Sequence, residues 1–150
     1  MNHAQALRFR YDDGGRADAG FSGRTGDCVT RAIAIAEGVP YAAVYADIAA
    51  RSKRERAPKR GSISHVRLGV YTRRKWFQDY MRELGWTWVS CMGIGTGCRV
   101  HLRADELPAG MLICSLSKHY CAVDNHVVRD THNPSRSGTR CVYGYWTKNA

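Results

Sequence analysis

The sequence predicts an α+β domain in which N-terminal helices pack on a C-terminal antiparallel sheet. Apolar residues recur at helical spacing through the first half, at Val29, Ala32, Ile33 and Ala36 and again at Trp76, Phe77, Tyr80 and Met81. Beyond Trp86 the pattern shortens to strand-like runs separated by turn signals. With 150 residues and 44% hydrophobic content, the chain has apolar material for one core but not for two. Helices first and hairpins second is the α+β order, not the alternation of a parallel α/β fold.

Residues 1–25 read as an irregular arm, with Asp12-Asp13-Gly14-Gly15 as a turn. A first helix is expected from about Cys28 to Ala36, with Gly38 as its stop. Pro40 suits the first turn of a second helix that presents Tyr41, Val44, Tyr45 and Ile48 on one face. Residues 51–65 break the periodicity, contain Pro58 and Gly61, and read as a basic loop. A third helix spans about Thr72 to Leu84 and is ended by Gly85. Strands follow at Trp86–Cys91, Met111–Leu116, His119–Val123, His126–Asp130 and Cys141–Trp146, with a short turn over Leu102–Leu107. Gly93-Ile94-Gly95-Thr96-Gly97 lacks the Gly-Lys-Ser/Thr ending of a phosphate loop and reads as a plain glycine-rich loop.

Charge is concentrated. Residues 51–75 hold ten Lys or Arg against the single acid Glu55, which accounts for nearly all of the chain's net +10. Such a segment is either a solvated loop or a docking surface for an acidic partner. No apolar run approaches the ~18 residues of a membrane span. The N-terminus lacks the apolar stretch of an export signal, so an intracellular protein without a membrane partner is expected. Six cysteines without an export signal read as reduced thiols, with Cys114 and Cys121 as small core hydrophobes. They contain no Cys-x-x-Cys knuckle, and no metal or other cofactor is expected.

One cysteine stands apart. Cys28 follows Asp27 at the mouth of the first helix, where free N–H groups and the helix dipole favour a thiolate. With Asp27 as N-cap, its charge opposes that effect, so a histidine partner is required. A lone cysteine at such a position is ordinarily a buried thiol. Turn geometry supplies the partners. A two-residue loop at Asp124-Asn125 would pair Val123 with His126, and counting outward brings His119 opposite Asp130, with Cβ atoms ~5 Å apart. The carboxylate can then hold one ring nitrogen while the other faces a thiol. His3, His65, His101 and His126 lie in loops or a turn. His132 is the rival, but it opens a Pro/Ser/Gly loop, and Asn133 is a fallback orienting residue.

In the order Cys28, His119, Asp130, these residues resemble papain-like cysteine peptidases, including the C39-type branch. That resemblance implies a papain-like fold with a Cys on the first core helix facing a His and an Asp on adjacent strands. Over most of its length the chain is also similar to an uncharacterised family of short phage and proteobacterial proteins. The segments that carry this likeness are Gly26–Ala36, Val100–Gly110, Ser117-Lys118-His119 and Arg140–Trp146. Papain-like enzymes usually place an oxyanion-donating Gln six residues before the Cys, and here that position is Ser22. The Cys28 backbone N–H, with Ser22 or Thr25, is the expected substitute. The resemblance implies a hydrolase acting by acyl transfer on a peptide or protein substrate in the cytoplasm of a bacterial host. The alternative is a non-enzymatic, phage-type nucleic-acid-binding or inhibitory protein. It would act through Arg51, Lys53, Arg54, Arg56, Lys59 and Arg60, with Tyr71 and Trp76 as stacking groups.

Overall fold

A computed structural model describes residues 6–21, 27–52, 72–93 and 95–148. The described residues form a mixed α+β structure of three helices on a six-stranded sheet. The helices are α1 (Cys28–Glu37), α2 (Tyr41–Ser52) and α3 (Lys75–Glu83). The strands are β1 (Arg8–Tyr11), β2 (Thr87–Ser90), β3 (Met111–Leu116), β4 (His119–Asp124), β5 (Val127–Asp130) and β6 (Gly144–Thr147), in the spatial order β1-β5-β4-β3-β6-β2.

The sheet is not purely antiparallel, and residues 1–25 are not irregular throughout. Arg8–Tyr11 forms an edge strand parallel to β5, with Tyr11 opposite Asp130. All four β1 residues are exposed, so no alternating burial pattern marks the strand, and backbone pairing alone defines it. Arg8 and Arg10 put charge on that edge, which discourages pairing with another chain.

The helices follow the apolar spacing closely. α1 buries Val29, Ala32, Ile33, Ala34 and Ile35 and ends where Gly38 turns left-handed (φ 66°) and caps the carbonyls of Ala34 and Ile35. α2 buries Tyr41, Val44 and Ile48 and runs to Ser52, so Arg51 is helical rather than part of a loop. α3 buries Phe77, Tyr80 and Met81 and begins at Lys75, after a turn over residues 72–74. All of these side chains except Tyr41 meet Ile113, Tyr120, Ala122 and Trp146 from the sheet in one cluster. Each fully buried Ile, Val, Phe or Met contributes about 1.5–3 kcal/mol.

The opposite face of β3 and β4 is buried as well. Leu112, Cys114, Leu116, Cys121, Val123 and Val128 pack there under Leu7, Leu102, Leu107 and Val142. Burial on both faces is why these strands read as continuous apolar runs. Cys114 and Cys121 face each other across β3 and β4 as buried free thiols. The expectation that all six cysteines are reduced fails at one pair. Cys98 and Cys141, 43 positions apart, form a disulfide. An isolated bridge between His101 and Cys141 and the Val142 N–H···O=C Val100 bond (2.8 Å) bring the two segments together, a proximity that sequence spacing does not reveal.

Gly144 sits directly beneath the Trp88 ring. A Cβ there would lie 2.2 Å from Trp88 Cζ2 and 2.8 Å from the Val89 carbonyl oxygen. Gly144→Ala is therefore expected to destabilise the protein by about 1–3 kcal/mol through forced displacement of β2. The check is the urea midpoint, with Gly93→Ala at an exposed loop position, where an added Cβ meets nothing nearer than 3.5 Å, for comparison; equal shifts for the two would refute the packing argument.

Candidate active site

α1 and β4 carry the candidate chemistry. Cys28 is the first residue of α1, half-buried against the core, and its Sγ accepts a hydrogen bond from the Tyr120 backbone N–H at 3.4 Å. The N–H groups of the first helical turn lack intrahelical acceptors, and the first α1 bond beyond them runs from Arg31 N–H to the Asp27 carbonyl at 3.0 Å. One residue past the start of β4, Tyr120 thus joins the helix mouth to the strand that begins with His119.

The β4–β5 turn differs from the expected one by a single residue. Asp124 pairs with Val127, so Asn125 and His126 form the two-residue loop, both at positive φ (49° and 69°) as a type I′ hairpin requires. The register is displaced by two positions, which makes His119 and Asp130 diagonal rather than direct neighbours. A displacement of two preserves parity, so the two side chains still share a face. They meet: His119 Nε2 lies 2.6 Å from Asp130 Oδ2. The same displacement moves His132 beside His119, with ring centroids 5.0 Å apart. Asn133 has another task. Its Oδ1 accepts from the Ser135 N–H at 3.1 Å.

Both members of the pair are buried, Asp130 almost completely and His119 mostly. Burial by itself pulls the His119 pKa down. Hydrogen bonding from Asp130 and Cys28, and the charges on both, outweigh it and push the value up to about 9. Burial raises the Asp130 pKa, but the His119 bond and charge, the Thr131 N–H (2.7 Å) and the Arg31 charge bring it below the ordinary carboxylate value. The favoured state is an imidazolium–carboxylate pair beside the Cys28 sulfur.

Asp27 is the N-cap residue of α1, as expected, but its carboxylate is engaged elsewhere. Its side chain makes no cap bond to the helix and is buried among Arg31, Arg16 (Nε 3.2 Å) and the Tyr41 hydroxyl, which donates at 2.6 Å. Two guanidiniums offset its charge, so it does not oppose a Cys28 thiolate. Burial and the bond to Asp27 push the Tyr41 phenol well above its ordinary pKa, which keeps it a donor. Arg31 also reaches Asp130 Oδ1 at 3.5 Å and so ties the helix mouth to β5. Arg16, Arg31 and Tyr41 escaped the sequence reading. Only the Asp27/Arg31 spacing of four residues hinted at a pair.

Ser22 and Thr25 lie outside the described residues, as do Lys53, Arg54, Arg56, Lys59 and Arg60. Arg51 is described and is already engaged, ion-paired with Glu83 and stacked 4.8 Å from the Tyr80 ring. His119, Asp130 and His132 offer ligand atoms within 4.8 Å of one another. Both Asp130 oxygens are committed to His119, Thr131 and Arg31, and a cation there would have to compete with the guanidinium.

A cavity of about 400 Å³ adjoins the site. Trp88, Tyr120, Tyr143 and Trp146 give it aromatic walls, and Arg73 and Arg82 flank it from α3 and the turn before it. Tyr120 lines it while its backbone holds the Cys28 sulfur, and Leu116, cross-strand from His119, lines it too. No helix among the described residues is long and apolar enough to cross a membrane. No family model matches the chain, and neither a curated protein nor a solved structure does.

The raised His119 pKa fixes a pH dependence of stability. A folded-state value of about 9 against an ordinary 6.5 means the His119 contribution is complete below about pH 6.5 and is lost as pH rises through 9. The lowered Asp130 pKa acts oppositely, with its contribution lost as pH falls below the ordinary carboxylate range. Urea unfolding is expected to show greatest stability near pH 5–6.5, and the difference between wild type and His119→Phe should shrink from pH 6.5 to 9.5. By NMR, the His119 titration midpoint should fall from near 9 in Asp130→Asn. A midpoint unchanged by that substitution would sever the pair.

Proposed function

We propose that the protein is a cysteine peptidase-like thiol hydrolase, with the helix-and-sheet arrangement of a papain-like fold, that acts by acyl transfer on a peptide or amide bond. The observation that carries this reading is the His119–Asp130 contact at 2.6 Å beside a sulfur held at a helix mouth. Cys28 is the nucleophile, attacking the carbonyl carbon as thiolate. His119 takes up the thiol proton and returns it to the leaving amine, and Asp130 holds the ring and stabilises its charged form. Negative charge on the tetrahedral intermediate falls at the first-turn N–H groups of α1, the Cys28 N–H among them, which have no acceptor within the helix. Water then attacks the acyl-enzyme with His119 as base, releasing the acid and restoring the thiol.

The aromatic cavity beside Tyr120 is the natural seat for a bulky apolar side chain of a peptide or protein substrate. Arg73 and Arg82 at its rim favour acidic neighbours on that substrate. Within this reading, cations near the cleft guide an acidic partner, and nucleic acid is not required as a ligand.

Reactivity of the thiol tests the proposal without knowledge of the substrate. At pH 6.5 iodoacetamide is expected to alkylate Cys28 at least about tenfold faster than Cys91, whose pKa burial raises. His119→Ala should remove that advantage. In a panel of fluorogenic peptide amides, Cys28→Ala and His119→Ala should each lower turnover by about 10²–10⁴-fold. Cys28 reacting no faster than Cys91, or hydrolysis surviving Cys28→Ala, would sink the proposal.

A further inference from the structure

A second sulfur site lies away from Cys28, on the loops that cover the other face of the sheet. Cys98 is exposed and Cys141, its disulfide partner, is half-buried. His101 Nε2 stands 3.6 Å from Cys98 Sγ, and the other ring nitrogen, Nδ1, lies 3.1 Å from Glu106 Oε1. A carboxylate that orients an imidazole toward sulfur is what stabilises a thiolate on that sulfur. Beside this group runs an open groove of about 560 Å³, bordered by Cys91, Met92, Arg99, Val100, Glu106 and Tyr145. Arg99 supplies a guanidinium there for a carboxylate on an incoming molecule.

We propose that Cys98–Cys141 is a thiol–disulfide exchange site for a low-molecular-weight thiol bearing carboxylates, the glutathione class. Cys98 is the sulfur attacked, and His101 with Glu106 stabilises its thiolate. The thiolate of the incoming molecule attacks the exposed Cys98 Sγ. A new S–S bond forms there, the Cys98–Cys141 bond breaks, and its electron pair leaves on Cys141, which takes a proton from solvent. A second thiol molecule attacks the small molecule's sulfur in the mixed disulfide, releasing its oxidised dimer and Cys98 as a thiolate beside His101. The balance is one protein disulfide and two small thiols giving two protein thiols and one small-molecule disulfide.

Exchange is independent of Cys28 chemistry, but it reaches toward the cleft. Arg140, next to Cys141, donates to the Ser117 carbonyl at 2.6 Å, and the Tyr143 N–H donates to Ser115 at 2.9 Å. Both bonds hold the disulfide-bearing segment against the hairpin that presents His119.

The folded full-length protein is equilibrated in reduced and oxidised glutathione, acid-quenched, alkylated and mapped by mass spectrometry, which separates these sites from Cys28. Glutathione is expected on Cys98 with Cys141 free. Cys141→Ser should accumulate the Cys98 adduct, and Cys98→Ser should show none on Cys141. His101→Ala and His101→Asn should slow exchange by about tenfold while circular dichroism stays unchanged. An adduct on Cys141 instead, a disulfide inert in the folded protein, or an exchange rate indifferent to His101 would overturn the proposal. So would reduced protein that takes up one zinc ion per chain through Cys98, His101 and Cys141, since those residues would then be metal ligands.

Discussion

Arg31 is the residue on which the geometry of this protein depends. Its guanidinium lies between two buried carboxylates, Asp27 at the mouth of α1 and Asp130 at the end of β5. The helix and sheet layers meet through apolar packing that tolerates small slides. A charge held between two fixed acids tolerates far less. Removing one member of such a buried ion group costs about 3–5 kcal/mol, because the remaining charges are left without compensation. Cys28 is one residue from Asp27, and His119 is bonded to Asp130. The same guanidinium that balances charge therefore sets the distance between thiol and imidazole.

A second constraint acts through the β4–β5 turn. Asn125 and His126 both adopt left-handed backbone, which suits the right-handed twist of the hairpin and fixes Asp124 opposite Val127. Everything downstream inherits that register. A displacement by one residue would send Asp130 to the other face of the sheet, away from His119. With the register as found, Asp130 is also braced by the Asp12 N–H, which donates to its backbone carbonyl at 2.9 Å and brings β1 against β5. An edge strand with no buried side chain thereby supports the buried carboxylate that holds His119.

The cysteines show how surroundings decide what a thiol does. Cys114 and Cys121 are sealed between β3 and β4, and the Cys114 contact and burial hold the Cys121 pKa well above its ordinary value. They behave as apolar filling. Cys28 stands at a helix mouth with a backbone N–H and an imidazole directed to its sulfur. Cys98 and Cys141 lie on surface loops, joined to each other and flanked by His101 and Glu106. One residue type thus occupies three environments.

The sequence by itself determined the α+β class, the three helices with their buried faces, the central strands and the identity of Cys28, His119 and Asp130 as one candidate group. Periodicity and turn chemistry are local properties, and the parity of a hairpin survives a miscount of two. Only the tertiary structure decided the rest. It paired β1 in parallel with β5, drew Arg51 into a helix and onto Glu83, and joined Cys98 to Cys141. It also gave the side chain of Asp27, the N-cap residue, to Arg16, Arg31 and Tyr41. Each of these depends on contacts between residues distant in the chain or on backbone pairing without a side-chain signature. No local pattern encodes a neighbour that arrives only when the chain is packed.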